Sequence, residues 1–473
     1  MNMPGPIKKI ALLFILPLFL SACNKLVEIP APQGTITTTE AFSDSANASS
    51  AVLSLYTNMI TNSGALEIGN GIITAVCGSS ADEMQPYASS GDEFAANALT
   101  ADYVQVAGDF WDPSYQYIYQ ANAIIDGVNS SSGITPSAKK KLIGEAKFFR
   151  AFLNFYLVNL FGDIPWINTI NYRTSTLAAR TRDSIVYDSI IVDLQYAQNA
   201  LPGDYSAGKG ERIRANEYAA TALLARTYLY MQQWANAETQ ATAVINSPLY
   251  SLDVDLNSVF LKNSTEAILQ WQGNSNIPEA NYNATLEGYL FIPLDSNTNP
   301  YYIIPDQYIA GFETGDNRLS SWVKSYQYTG DGNTYNIPYK YKVGPAQVAA
   351  GANVLEYYMV LRLAEQYLIR AEARARQNKL SDAISDLNVI RNRAGLANTT
   401  ATSLDDVLAA IAQERRSELF AEWGNRWLDL KRTGQANTVL SPLKPLWQPS
   451  QQLYPIPESE RLLDPNLSQN TGY

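Results

Sequence analysis

"IRAEARARQNKLSDAISDLNVI" (residues 369–390) decides the architecture, because the chain carries its pattern twice. "LLARTYLYMQQWANAETQATAV" (223–244) superposes on it with a constant offset of 146. Under that offset Ala225 meets Ala371, Trp234 meets Leu380, Ala237 meets Ala383 and Val244 meets Ile390. Small alanines at fixed points let two antiparallel helices approach closely, so each stretch reads as a helix–turn–helix unit, and the pair as an internal repeat.

Outward from the repeat, much of the chain reads as helix. Residues 51–60, "AVLSLYTNMI", carry an apolar face. Trp111, Tyr115, Ile118, Asn122 and Ile125 form one stripe at helical spacing, predicting a helix from about Trp111 to Val128 whose stripe is core. Residues 138–166 predict another long helix, stopped by Gly162 and Pro165. The fold class expected is mostly α, with tetratricopeptide-like helical repeats, an irregular loop-rich ligand-binding region and few short strands. The non-repeat segments are where chemistry could live. Residues 79–100 form a polar loop carrying Tyr87 and Phe94, "EAILQWQG" (266–273) is strand-like, and "TGDGN" (329–333) is a turn. Residues 281–341 hold ten of the thirty tyrosines; an even spread would give about four.

The N-terminus reads as an export signal. Lys8 and Lys9 precede the apolar run Ile10 to Leu20, and Ser21-Ala22 lead into Cys23. The run is shorter than the roughly 20 apolar residues that cross a bilayer. Leu20-Ser21-Ala22-Cys23 resembles a bacterial lipobox, which implies lipidation of Cys23, and Asn24 points towards the outer membrane. Removing residues 1–22 takes two lysines and no acid, so 32 basic against 45 acidic residues leave a net charge of −13. Such a surface repels phosphate backbones, and nucleic acid is not an expected partner. The chain has no histidine, which removes Ser-His-Asp and Cys-His nucleophile systems and histidine metal sites. "DVDLNSVFLKNS" (253–264) begins like a calcium loop, but Ser258 and Ser264 stand where Gly and the bidentate Glu are required. No metal or cofactor is expected.

Three ordered motifs then carry a resemblance. "YLIRAEARARQNKLSDAISDLNVIRNRAG" (367–395) precedes "IAQERRSELFAEWGNRWLDLKRTG" (411–434), and the chain closes on "LYPIPESERLLDPNLSQNTGY" (453–473). The middle motif contributes Glu414, Arg415, Glu418, Leu419, Gly424, Arg426, Asp429, Leu430 and Arg432; the last contributes Tyr454, Pro455, Ile456, Pro457, Asn466, Gln469, Asn470 and Tyr473. Together with "EAKFFRAFLNFYLVNLFGDIP" and "WDPSYQYIYQANAIID", these resemble the SusD/RagB family of outer-membrane nutrient-binding lipoproteins over nearly the whole mature chain. By helical spacing alone the middle motif suggests ion pairs Glu422–Arg426, Arg415–Glu418 and Asp429–Arg432.

The resemblance implies a cell-surface lipoprotein without catalytic activity. It would bind a glycan, or another nutrient oligomer, and pass it to a SusC-like TonB-dependent transporter. Two other classes fit the composition: a surface glycoside hydrolase using paired carboxylates, and a protein-binding repeat scaffold. The expected divisions are a signal peptide (1–22), a lipidated tether (23–40), an N-terminal helical region (41–262) and a C-terminal region (263–473). The scaffold motifs give no ligand contacts, which leaves aromatics of the non-repeat segments. Tyr87, Trp271, Tyr289 and Trp322 are the expected stacking platforms. Asp82, Asn274 and Arg318 are the expected hydrogen-bonding neighbours, although Arg318 is also placed to pair with Asp316.

Overall fold

Alanine does in the structure what its size allows. In the computed structural model, which describes residues 38–61, 68–88, 92–273, 283–349 and 351–473, the two related stretches are helix pairs broken at equivalent points. We label the principal helices α1 (Ser45–Thr61), α2 (Ile72–Ser80), α3 (Asp112–Ser130), α4 (Pro136–Phe161), α5 (Asp183–Ala200), α6 (Glu217–Tyr230), α7 (Trp234–Ile245), α8 (Leu363–Arg376), α9 (Leu380–Arg393), α10 (Leu404–Glu418) and α11 (Asn425–Arg432). Tyr230 and Arg376 end the first helix of each pair, and Trp234 and Leu380 begin the second, all at the offset of 146. Ala225, Ala237, Ala371 and Ala383 have no exposed surface.

Local chemistry sets the helix ends. Thr135 Oγ1 accepts from the Ala138 amide at 3.3 Å with Pro136 in the first turn, and Gly162, at φ 74°, stops α4 where the sequence says it should. Asn216 caps α6 by accepting from the Ala219 amide. Successive helices from α3 to α10 then pack as neighbours, and α7 lies against α8 although residues 246–362 separate them. The helical stack is therefore continued across a long insertion.

That insertion carries most of the β structure. The strands are β1 (Gln85–Pro86), β2 (Ala267–Trp271), β3 (Tyr302–Ile303), β4 (Val323–Gln327), β5 (Thr334–Pro338) and β6 (Tyr358–Arg362), paired antiparallel as β1–β3, β2–β6 and β4–β5. Every residue of β2 and β6 is buried, so this pair is a core element. The core is aromatic where the halves meet: Trp423 lies 5.2 Å from Phe152, 5.3 Å from Trp271 and 4.9 Å from Tyr358, centroid to centroid. Trp111, Trp423 and Trp427 are buried and Trp234 is packed against the core.

The middle motif is a buried ion network rather than a set of helix-surface pairs. Arg318 is bound by Asp316, Glu414 and Glu418. Arg362 is bound by Glu266, Glu418 and Glu422, and Lys340 by Glu422. Of the pairs that helical spacing suggests, Asp429–Arg432 forms at 2.7 Å. Glu422 and Arg426 take other partners because α10 ends at Glu418 and α11 starts at Asn425, so no single helix carries both. Arg415 takes Asp429 instead of Glu418. The network ties α10 to β6 and to both ends of the β4–β5 segment, through Arg318 before it and Lys340 after it.

Among the described residues no helix is long and apolar enough to cross a membrane. Cys23, the signal 1–22 and most of the tether lie outside the described residues.

Candidate functional site

The short pair β1–β3 determines which aromatics meet. Gln85 pairs with Ile303 and Pro86 with Tyr302, and the Tyr87 amide donates to the Tyr301 carbonyl at 3.0 Å. Residues 85–87 are thereby fixed beside a segment more than 200 positions later in the chain. The Ile304 amide donates to the Asn336 carbonyl at 2.7 Å, which sets β3 against β5.

The tip of the β4–β5 hairpin completes the arrangement. Tyr326 faces Tyr335 across the ladder. The Tyr328 amide donates to Asn333 O at 2.9 Å, Asp331 Oδ1 accepts from the Asn333 amide at 2.9 Å, and Gly332 takes the left-handed φ of 75° that the turn requires. Tyr326, buried beneath the tip, donates its hydroxyl to the carbonyls of Asp295 and Thr298.

Three tyrosines and one carboxylate meet at this tip. Asp331 Oδ2 accepts from Tyr87 at 3.0 Å and from Tyr335 at 2.6 Å. The Tyr87 ring lies edge-to-face with Tyr328 and with Tyr335, centroids 5.7 and 5.4 Å apart. All three rings are half-buried, Asp331 is exposed, and Tyr301 beside them is 62% exposed. Desolvation, and then the hydrogen bond to Asp331, push the Tyr87 hydroxyl up to about 12. The Tyr335 hydroxyl and the Asn333 amide hold Asp331 below the usual carboxylate range. At neutral pH the cluster is one exposed carboxylate held by two neutral phenols, its rings half-buried. Such a surface suits the C–H faces and hydroxyls of a sugar. Gln85, on the same short strand, also lines a cleft of about 410 Å³ with Asp82, Met84 and Pro305.

The expected site residues divide sharply. Tyr87 sits in the cluster, whereas Trp271 and Trp322 do not. Trp271 is 1% exposed and stacked 6.2 Å from Phe149, with Phe152 and Trp423 on its edges. Trp322 has no exposed surface, donates Nε1 to Leu256 O at 2.9 Å, and has the Lys340 ammonium 4.4 Å from its ring centroid. Neither has a face open to a ligand, because the hydrophobic return on burying an indole outweighs its place in an irregular segment. Arg318 is likewise buried, and its pair with Asp316 is structural. Asp82 is bound by Arg426 at 2.7 and 2.9 Å. Tyr289 is half-buried on the helix Leu286–Phe291 and takes part in neither of the cluster's ring contacts. Asn274 lies outside the described residues.

Tyr328, Asp331 and Tyr335 of the candidate site are not among the residues expected from the sequence. Their signal was present in the tyrosine enrichment of 281–341 and in the turn "TGDGN", which read together place tyrosines on both sides of a hairpin tip.

Comparisons with known proteins bear on the family and the fold. Residues 270–473 match a family model described as "SusD family", and residues 39–229 match one described as "Starch-binding associating with outer membrane". The chain is similar to SusD-like protein P25 of Formosa agariphila, 26% identical with 77% of this chain and 79% of that one covered. It is similar to SusD-like protein P2 of the same organism at 28%, with 77% and 80% covered. Among solved structures, a SusD superfamily protein from Bacteroides vulgatus matches with a TM-score of 0.78 at 21% identity, covering 91% of this chain and 100% of that one. A laminarin-binding SusD-like protein matches with 0.77 at 23%, also over 91% and 100%. These likenesses to solved structures establish the shared helical fold.

Proposed function

The chain belongs to the SusD/RagB family, and from that premise we propose that it is a cell-surface lipoprotein that captures a glycan at the tyrosine cluster and delivers it to a SusC-like TonB-dependent outer-membrane transporter. The observation that carries the ligand reading is exposed Asp331 holding the half-buried rings of Tyr87 and Tyr335. A structural relative that binds laminarin supports a saccharide as the ligand class. The outer-membrane setting is supported by the family matched over residues 39–229. In this reading residues 1–22 direct export, Cys23 carries the lipid, and residues 23–40 tether residues 41–262 and 263–473 to the membrane. Two or three acyl chains anchor stably where one does not, since each buried methylene contributes about 0.8 kcal/mol. The protein binds without catalysis.

A glycan array probed with the mature protein, followed by calorimetry on the hits, tests the ligand class. Saturable binding without new reducing ends is expected; new reducing ends from a purified oligosaccharide would make the protein a hydrolase. Anchoring is tested by Cys23→Ser, which should lose palmitate labelling and leave the outer membrane. Protease shaving of whole cells tests the outward orientation. Gentle solubilisation should recover a TonB-dependent barrel with the lipoprotein, and recovery of the lipoprotein alone counts against delivery.

A further inference from the structure

A polar cleft lies in the C-terminal half, sharing no residue with the tyrosine cluster. The end of α8, the second half of α10 and helix α11 enclose a cleft of about 580 Å³. Arg376, Arg415, Arg416, Arg426 and Arg432 line it, against only two acids, Glu372 and Asp429. Those acids are already committed. Arg432 takes both oxygens of Glu372 and shares Asp429, and Arg415 takes Asp429 through Nε and Nη2. Arg426 is bound by Asp82 through Nε and Nη2. Among the described residues, neither Arg376 nor Arg416 has an ion pair: Arg376 lies over the Trp234 ring, and Arg416 lies 3.7 Å over the Tyr308 ring and donates Nη2 to the Tyr308 carbonyl.

Two guanidinium nitrogens of this wall are buried without a hydrogen-bond partner. One is Nη1 of Arg415, a residue only 2% exposed; the other is Nη1 of Arg416. Buried donors are nearly always satisfied, and a charged donor is the costliest to leave empty. The protein around them is strongly acidic, so this local excess of cations is not a general property of its surface.

We propose that the cleft binds a small oxyanion, a carboxylate, sulfate or phosphate group, between the Arg415–Arg416 wall and the guanidiniums of Arg376 and Arg426. Guanidinium donors match planar and tetrahedral oxyanions through paired hydrogen bonds. The assignment rests on the arginine geometry and is independent of the glycan reading.

Isothermal titration of sodium sulfate, sodium phosphate and sodium glucuronate into the purified mature protein, in chloride buffer at constant ionic strength, tests it. Saturable one-site binding of at least one anion is expected. The inorganic arms and the glucuronate arm separate a free anion from the carboxylate of a sugar acid. Ala412, exposed and lining the cleft, supplies the deciding variant. Ala412→Glu sets a carboxylate among the guanidiniums without removing an ion pair. It should weaken anion binding at least about tenfold, by occupying the cations and repelling the ligand, while the melting temperature in chloride does not fall. The exposed Arg376→Gln should weaken binding about threefold, having lost one cation of the wall. No saturable heat with any of the three anions overturns the proposal, as does binding that Ala412→Glu leaves within about twofold of wild type. A rise in melting temperature with sulfate that is linear and equal in both proteins reflects general exclusion from the surface and counts equally against it.

Discussion

Asp331 accepts hydrogen bonds from two tyrosine hydroxyls and from the Asn333 amide. Those bonds favour its ionised form, so its carboxyl protonates only below the ordinary carboxylate range, while the Tyr87 hydroxyl gives up its proton only near about 12. The arrangement is complete above the usual carboxylate pKa and is lost only as the pH falls through the depressed one. Glycan affinity measured by calorimetry should therefore be flat, within about twofold, from pH 5 to pH 9 or so; a titration step inside that window would place another ionisable group at the site. Trp271 belongs to a different economy. Trp271→Ala should cost about 3–5 kcal/mol in denaturant unfolding, as emptied core aromatics do, and the protein that remains folded should bind glycan like wild type. Trp271 ends β2, where Ala267, Ile268 and Leu269 put apolar side chains on both faces and every residue is buried, which marks a strand covered on both sides rather than a rim. Tyr87 was legible as an aromatic in a polar loop. Its partners were not, because a pairing of residues 85–87 with 301–303 has no local signature.

The two helix pairs turn through residues in the same left-handed conformation, Gln232 at φ 56° and Asn378 at φ 60°, again at the offset of 146. Asparagine tolerates that region and glutamine does so less well. Gln232→Asn should raise stability by about 0.5 kcal/mol, measured by urea unfolding with an unchanged slope. The repeat was readable because alanine spacing and turn position are local. The roles of Glu414, Glu418 and Glu422 were not, since their cations come from residues 318, 340, 362, 391 and 393. Arg318→Ala would leave buried Asp316 without its cation and take one cation each from Glu414, which keeps Arg391, and Glu418, which keeps Arg362 and Arg393. Breaking a buried pair from one side costs about 3–5 kcal/mol, so this variant should unfold at markedly lower denaturant and lose binding together with the fold.

Across the whole molecule, the helical stack and its ion network hold an insertion whose hairpin tip carries the tyrosines. One buried carboxyl in this assembly makes stability depend on pH. Burial pushes Glu287 up to about 8, and Tyr358 donates its hydroxyl to it at 3.1 Å. With the folded value above the unfolded one, the contribution is fully present below the ordinary glutamate range and is lost as pH rises towards about 8. Thermal melts of wild type against Glu287→Gln should show wild type losing ground to the variant over that interval, by up to a few kcal/mol; parallel curves would contradict a protonated Glu287. The central claim, that the hairpin tip is where a glycan is held, is tested most directly by titrating the best array glycan into wild type and the double variant Tyr87→Ala/Tyr335→Ala. Removing two platforms should cost roughly 1–3 kcal/mol of binding or more, about tenfold or greater in Kd, with the melting temperature little changed. A double variant that remains folded and binds the glycan as wild type does would contradict the account.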